Sequence, residues 1–475
     1  MTTEAKRQTQ AEQPANDNSE TPKGDRDAIE KDIEKWQTAM NRQFAVVNEH
    51  GKALIYRRVL DHSMGHYRNE WLSPDNFRTL YDNTRVVVAI KDGKPVHGRL
   101  GSAWLDWSER KQYDQVVFAP NAKFDPEDHV LNLWRGFSVR PKAGEWSKLR
   151  DHIRNVICAA NEEHFDYVMN WLARCVQKPG EHGETVIVLR GPEGTGKGTL
   201  GNHFGKIFGE HYIHAARSQD LVGRFTGHLE TGVFVFADEA TFAGDRRQAN
   251  ELKALVTEAE IGIENKFRST KWVRNVTHLM FASNETWVVP AGPEARRYFV
   301  LDVQGTHRED FDYFAEIDAQ MKAGGYEAML HELQQRDISK FNHRAIPRTA
   351  ALMEQKQLSL TGTAAWLLER LREGRLGDSG WKHDSELATD KARAYDDYVF
   401  WSNQHREFKP DTDSQWGKVL SKVFGEALRE KKPRAGDEHR RRLLVFPSLV
   451  ECRKAFEKFV NGPVEWPTAT DDLPG

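Results

Sequence analysis

The sequence predicts an α/β fold built on a parallel sheet whose strand ends face a ligand crevice. Three runs carry that expectation. Glu184 to Arg190, Gly232 to Ala237 and Leu279 to Ala282 are short, almost wholly apolar stretches of strand composition. The first leads into glycines, the second into two carboxylates and the third into Ser283-Asn284. Helical patterns separate them, as crossover connections between parallel strands require. In open α/β sheets ligands bind outside the carboxyl ends of the strands, so the glycines, acids and amide should meet there.

The first element explains the residue types it uses. Gly191-Pro192-Glu193-Gly194-Thr195-Gly196-Lys197 stands between a predicted strand and a predicted helix, Leu200 to Phe208, the context of a Walker A phosphate loop. Glycines let successive N–H groups curl around a phosphate, and the lysine reaches the β and γ groups. The expected ATP-binding set is Gly191, Gly194, Thr195, Gly196, Lys197, Gly198, Thr199 and Leu200. The hydroxyl that usually follows the lysine is replaced by Gly198, with Thr199 next. Either Thr199 takes over as Mg²⁺ ligand, or Mg²⁺ is held by phosphates, water and a distant carboxylate.

Asp238 and Glu239 end the second run, with Asp238 41 residues after Lys197. Asp238 suits Mg²⁺ and its waters, and Glu239 suits a general base acting on water. Asn284 ends the third run and can hold water or sense the γ-phosphate without adding charge. Arg296 and Arg297 follow in Gly292-Pro293-Glu294-Ala295-Arg296-Arg297, before the run Tyr298 to Leu301. One of the pair suits a finger inserted into a neighbour's site, and the sequence does not choose between them. Ile261 to Val273 reads as a hairpin whose cations Lys266, Arg268 and Lys271 suit phosphate oxygens; a solvated charged hairpin is the rival reading.

The rest of the 475 residues divides around this core. Residues 1–27 contain no Val, Leu, Ile or aromatic residue and are expected as a disordered arm. Residues 28–145 read as a small mixed α/β domain opening with Ile29, Ile33, Trp36 and Met40 on one helical face, followed by a hairpin turning at Asn48 to Gly51. Its Trp104, Trp107, Tyr113 and Phe118 fit core packing better than base stacking. Residues 146–183 read as a helical collar or oligomerisation segment, 184–310 as the ATPase core, 311–373 as a helical extension and 374–384 as a linker. Residues 385–462 give helix, helix, basic loop and strand, a winged-helix-like DNA-binding domain whose cations are Arg429, Lys431, Lys432, Arg434, Arg440, Arg441 and Arg442. Residues 463–475 are expected to be a loose tail.

Composition sets limits. Lys and Arg total 68 against 71 Asp and Glu, a formal charge of -3, so any grip on DNA must be local. Three scattered cysteines, Cys158, Cys175 and Cys452, make neither a disulfide framework nor a zinc motif and read as buried apolar groups. His62, His66, His203, His211 and His214 lack a metal-site pattern. No apolar run is long enough for a membrane span or a signal peptide, which predicts a soluble, cytoplasmic protein.

The order of glycine loop, Asp-Glu, basic hairpin, Asn and arginines within 107 residues resembles a superfamily 3 helicase, an AAA+-related ATPase, most closely its poxvirus and phage primase-helicase branch. Asn132 to Phe137 and His164 to Gln177 also resemble segments that precede the helicase in phage members. Position by position, the resemblance assigns Lys197 and Thr199 to Walker A, Asp238 and Glu239 to Walker B, Lys253 and Lys266 to the DNA-contacting motif that follows, and Asn284 to the sensor. It implies a homo-oligomeric ring, usually a hexamer, around single-stranded or forked DNA, with ATP and Mg²⁺ at subunit boundaries and the hairpin in the channel. It further implies a phage or plasmid replication role in a bacterial host's cytoplasm, beside a separate primase, since residues 28–145 lack a primase-like cluster of metal-binding acids. A DNA-stimulated ATPase that melts or loads without processive unwinding, and a nucleotide kinase sharing the Gly196-Lys197-Gly198-Thr199 loop, are the alternatives.

Overall fold

The computed structural model describes residues 23–49, 51–63, 66–92, 94–223, 226–239, 241–242, 246–264, 270–406, 409–431 and 442–467. They fall into two compact units, 1–135 and 136–475. Among the described residues no helix is long and apolar enough to cross a membrane.

The first unit contains a four-stranded sheet in the order His66–Leu72, Lys52–Asp61, Phe44–Glu49, Gln112–Tyr113, beside two-stranded pairings of Arg85–Lys91 with Lys94–Arg99 and of Gln115–Val117 with Val130–Asn132. The expected hairpin pairs Phe44 with Arg57 and Glu49 with Lys52. Helix Lys23–Gln43 precedes it, so the last residues of the expected arm are helical, with Arg26 paired to Glu30 one turn on. Residues 1–22 lie outside the described residues. Trp104 is fully buried against Phe44 and Phe77, and Trp107, Tyr113 and Phe118 are partly buried against core clusters, so these aromatics are packing groups.

The unit ends at Arg135, ten residues before the expected boundary. The segment beyond belongs to the second unit through backbone bonds: Ser138 N donates to Ile207 O (2.8 Å) and Lys142 N to Glu327 O (3.1 Å). Such ladder-like contacts leave no trace in local composition.

The second unit centres on five parallel strands: β1 (Val186–Arg190), β2 (Tyr212–Ala215), β3 (Phe234–Asp238), β4 (His278–Ser283) and β5 (Tyr298–Asp302), in the order β2-β3-β4-β1-β5. Every residue of β1 and β4 is buried. Parallel strands covered on both faces read as continuous apolar runs, which is why three of them were visible in sequence. On one face Phe234 meets Phe204, Phe208 and Trp171. Here α1 (Lys197–Lys206) lies close because Gly201 has no side chain: a Cβ there would fall 2.3 Å from the Phe236 ring. On the other face Val186, Val188, Val235 and Ala237 pack with Leu252 and Leu255 of α2 (Arg246–Thr257).

Helix Glu162–Gln177, expected in a collar, buries its apolar stripe within the subunit, and Trp171 Nε1 donates to Thr185 Oγ1 (3.1 Å). The expected helical extension, 311–373, breaks at Gly324 (φ +108°) into Phe311–Gln320 and Tyr326–Gln335, and a further helix within it, Ala350–Leu358, packs on the core. The last helix of that region, Gly362–Glu373, joins the C-terminal core instead. So does the expected linker: Leu376 and Trp381 are buried there, and Trp381 Nε1 donates to Pro447 O (3.0 Å). The C-terminal core runs strand Leu387–Asp390, helices Lys391–Gln404 and Asp413–Phe424, strands Arg429–Lys431 and Leu443–Phe446, then helix Leu449–Val460. Its sheet is antiparallel with Leu443–Phe446 central. All three cysteines are buried thiols, and burial pushes Cys158 up to about 12.

A clamp ahead of β1 has a pH signature. Glu184 accepts from Arg344 Nη2 (2.8 Å) and is paired with His343 Nε2 (3.0 Å). The Arg344 guanidinium, with His343, holds the carboxyl at about 2, below its usual 4.5. A depressed carboxylate stabilises the fold above its unfolded pKa, and that contribution disappears as pH falls from about 4.5 towards 2. Because Arg344 is exposed, we expect only ~2 kcal/mol. Glu184→Gln should lower the urea-unfolding free energy by about that amount at neutral pH, and the gap from wild type should close near pH 2. A gap independent of pH would refute the ion-pair origin.

Candidate active site

Because the five strands are parallel, their carboxyl ends share one edge, and the register places the sequence-predicted residues side by side there. Asp238 stands opposite Ala282, and Ser283 opposite Arg190, the residue before the glycine turn. The turn needs its glycines for two reasons. Gly194 and Gly196 have φ +78° and +85°, and at Gly191 (φ +155°) a Cβ would fall 2.7 Å from Val303 O. α1 starts at Lys197, so its unpaired N-terminal amides and positive dipole end open on the turn.

A cleft of about 420 Å³ lies there, lined by Glu193 to Thr199, Asn202, Asp238, Glu239, Ser283, Asn284 and Phe314. Lys197 is buried, its Nζ donating to Gly191 O (2.7 Å) and Pro192 O (2.6 Å). Burial pushes its ammonium below the usual lysine range, and Asp238 nearby opposes that shift. Thr195, fully buried, donates to Pro192 O (3.0 Å) and braces the turn. Glu239 is exposed and sits in the left-handed region at φ +57°, leaving the strand direction just as Asn284 leaves β4. Leu200 does not line the cleft: its side chain is fully buried in the core.

The donor set fits a hydrated divalent cation shared with phosphate oxygens. A Cβ at Gly198 would lie 3.4 Å from Asp238 Oδ2 and 3.5 Å from Asn202 Nδ2, ordinary contact distances, so the position of the missing hydroxyl is faced by a carboxylate and an amide. Thr199 lines the same space. Among the described residues no group of three His, Cys, Asp or Glu side chains could hold a metal alone.

The arginines lie elsewhere. Tyr298 at the start of β5 pairs with Val186 at the start of β1, so Arg296 and Arg297 sit at the opposite edge, a strand length of roughly 16 Å away. They line a cavity of about 750 Å³ with Lys253 and Lys422, where Arg297 Nη1 is buried without a hydrogen-bond partner. Lys253, expected with the basic hairpin, therefore groups with the arginines. The hairpin pairs Glu260–Ile263 with Lys271–Arg274. Its Lys271 is not displayed for phosphate: Nζ is 2.6 Å from Glu230 Oε1 and the side chain is 17% exposed. Lys266 and Arg268 lie outside the described residues, while Trp272 is 70% exposed. Of the C-terminal cations, Arg429 pairs with Glu386 and Arg442 with Glu430 (3.6 Å), and Lys431 is exposed. Lys432, Arg434, Arg440 and Arg441 also lie outside the described residues.

Sequence reasoning missed Asn202, Ser283 and Phe314. Asn202 was within reach, because Gly198 and Asn202 are four residues apart on one helical face. Phe314 arrives from the helix after β5 and had no local signal.

Residues 189–297 match the model of a family of unknown function, DUF5906, a span holding the turn, both acids, Asn284 and the arginines. Over 227 residues the chain is 26% identical to the DNA primase-polymerase of Nitratiruptor phage NrS-1; the match covers 46% of this chain and 30% of that protein. The chain thus spans about a third of its relative's length. A solved apo structure of the C-terminal region of NrS-1 superposes with TM-score 0.58 at 15% identity, covering 88% of this chain and 99% of that one. A second structure of that region gives 0.58 at 14% identity, covering 87% and 98%. In sequence this protein is related to a phage primase-polymerase, and in fold it is an α/β protein like the C-terminal region of NrS-1.

Proposed function

We propose that the chain is an ATP-dependent DNA helicase of phage or plasmid replication, working as a ring, usually a hexamer, with ATP at subunit boundaries. The observation that supports this best is the division of one catalytic set between two edges of the sheet. Lys197, Asp238, Glu239 and Asn284 converge at the carboxyl edge, while Arg296 and Arg297 stand at the other, out of reach within one subunit but available to a neighbour. The relationship to a phage primase-polymerase agrees with a replication role.

In this reading the glycine turn and the α1 N-terminus bind the triphosphate, and Lys197 moves from the Gly191 and Pro192 carbonyls to the β and γ oxygens. Asp238 and Thr199 would hold Mg²⁺, which neutralises phosphate charge when bound. Glu239 takes a proton from the attacking water, Asn284 orients that water, and an arginine from the next subunit meets the charge developing on the γ-phosphate. The basic hairpin contacts DNA in the channel, and the strand, helix, helix, strand, strand order of the C-terminal core suits a winged-helix-like module gripping duplex or fork DNA.

The test is ATP hydrolysis and strand separation on a forked duplex, with and without single-stranded DNA. Wild type should do both, and Lys197→Ala neither. Hydrolysis stimulated by DNA without strand separation would replace the helicase reading with that of a melting or loading ATPase. Phosphoryl transfer to a nucleoside monophosphate would replace it with the kinase reading.

A further inference from the structure

One fully buried histidine touches the glycine turn from behind. His152 stands where helix Ser147–His152 passes into the π-turn Ile153–Ile157, a form of backbone often found at functional sites. Its Nε2 is 3.2 Å from Gly196 O and its Nδ1 3.1 Å from the Tyr313 hydroxyl. A carbonyl only accepts, so Nε2 carries the proton and Nδ1 accepts from Tyr313. Burial holds the imidazole at about 4, so the ring is neutral at physiological pH and this tautomer persists. Tyr313 is itself fixed: its ring stacks on His307 at 3.7 Å, its backbone N donates to Asp310 Oδ1 (3.1 Å), and His307 Nδ1 is paired with Asp310 Oδ2 (2.9 Å). The approach of the imidazole also depends on glycine, because a Cβ at residue 196 would fall 2.5 Å from His152 Cε1.

Across a planar trans peptide the C=O of one residue and the N–H of the next point in opposite directions. Drawing the Gly196 carbonyl back towards His152 therefore turns the Lys197 N–H forward, into the cleft. We infer that His152, oriented by Tyr313, is a positioning residue that locks the Gly196–Lys197 peptide with its N–H aimed at a nucleotide phosphate. This rests on the nucleotide reading of the cleft. It also explains why a polar ring stands at a site that an apolar side chain would fill.

The experiment compares wild type with His152→Phe, which keeps a ring but loses both bonds, His152→Gln, which keeps a donor, and Tyr313→Phe. Two quantities are read: the dissociation constant for MgATP, and amide hydrogen exchange of peptides spanning 194–200 without nucleotide. Thr199 N, which donates to Gly196 O (3.1 Å), reports on the turn. His152→Phe should weaken ATP binding and speed exchange by roughly tenfold each, the effect of one lost buried hydrogen bond, with an unchanged circular dichroism spectrum. His152→Gln should recover most of both, and Tyr313→Phe should fall between. A folded His152→Phe protein with wild-type affinity and exchange overturns the inference. So does His152→Gln matching His152→Phe, which would make the role one of volume. If His152→Phe does not fold, Tyr313→Phe decides by the exchange reading, where no change is a refutation. Should wild type bind ATP no better than Lys197→Ala, the nucleotide reading fails, and exchange still judges the hold of His152 on the turn.

Discussion

Glu239→Gln is expected to lower ATP turnover by at least ~100-fold while leaving ATP affinity within a few-fold of wild type, because general-base catalysis contributes about 10²–10⁴ and the amide keeps the shape of the carboxylate. The position favours a clean result. Glu239 is exposed at the lip of the cleft, so Gln leaves no buried charge uncompensated and fills no cavity. Its φ of +57° is as accessible to Gln as to Glu, and the strain of the turn is therefore unchanged. Lys197→Ala should behave oppositely and lose affinity first, since Lys197 is the buried cation of the cleft. Turnover of Glu239→Gln within threefold of wild type would remove Glu239 from the reaction. Turnover loss matched by an equal loss of affinity would make it a binding group instead.

The second large effect concerns the arginines. An arginine finger is worth about 10³–10⁵ in turnover. We therefore expect Arg296→Ala or Arg297→Ala, whichever removes the finger, to reduce hydrolysis at least ~1,000-fold in the homogeneous mutant. The decisive form mixes subunits. A population of Lys197→Ala subunits keeps good arginines, and a population of arginine-mutant subunits keeps good clefts. Each alone is inactive, and mixing them should restore activity, because some boundaries then join an intact cleft to an intact arginine. Activity in the arginine mutant equal to wild type, or no recovery on mixing while the two populations demonstrably co-assemble, would refute action between subunits. Arg297 is the better candidate for a structural side effect, since its Nη1 is buried and its backbone carbonyl accepts from Val186 N (2.8 Å). Arg296 is exposed and should be thermally neutral.

What the sequence revealed, and what it hid, follows from the range of the interactions. β1, β3 and β4 were legible because strands buried on both faces must be apolar throughout, and the residues that interrupt them, Gly191, Asp238 and Asn284, stand where the sheet ends. The cleft residues were legible for the same reason: strand ends in a parallel sheet gather on one side whatever the strand order. The sequence could not show that Lys271 meets Glu230, 41 positions earlier, so a cation that looked available is neutralised. The segment 374–384 has the glycine and aspartate content of a linker, yet two side chains, Leu376 and Trp381, fasten it to a core assembled mostly from residues after 390. The break at Gly324 was hidden because helical periodicity survives a single left-handed residue. Charge told least of all, since a near-neutral total does not show that Lys253, Arg296, Arg297 and Lys422 share one cavity with Glu258 and Glu294, the last paired with Lys422.

The placement of the two halves of the site on opposite edges of the sheet has a consequence for control. Under the proposed function, a subunit by itself would own a complete grip on a triphosphate but no complete means of cleaving it, so hydrolysis would become a property of assembly and follow mass action. Below the concentration at which rings form, the protein would hold ATP as an idle ligand; wherever DNA gathers subunits, the same molecules would begin to turn over. On that reading the dispersed protein would need no separate inhibitor, because each copy would withhold from itself the one residue its own site lacks.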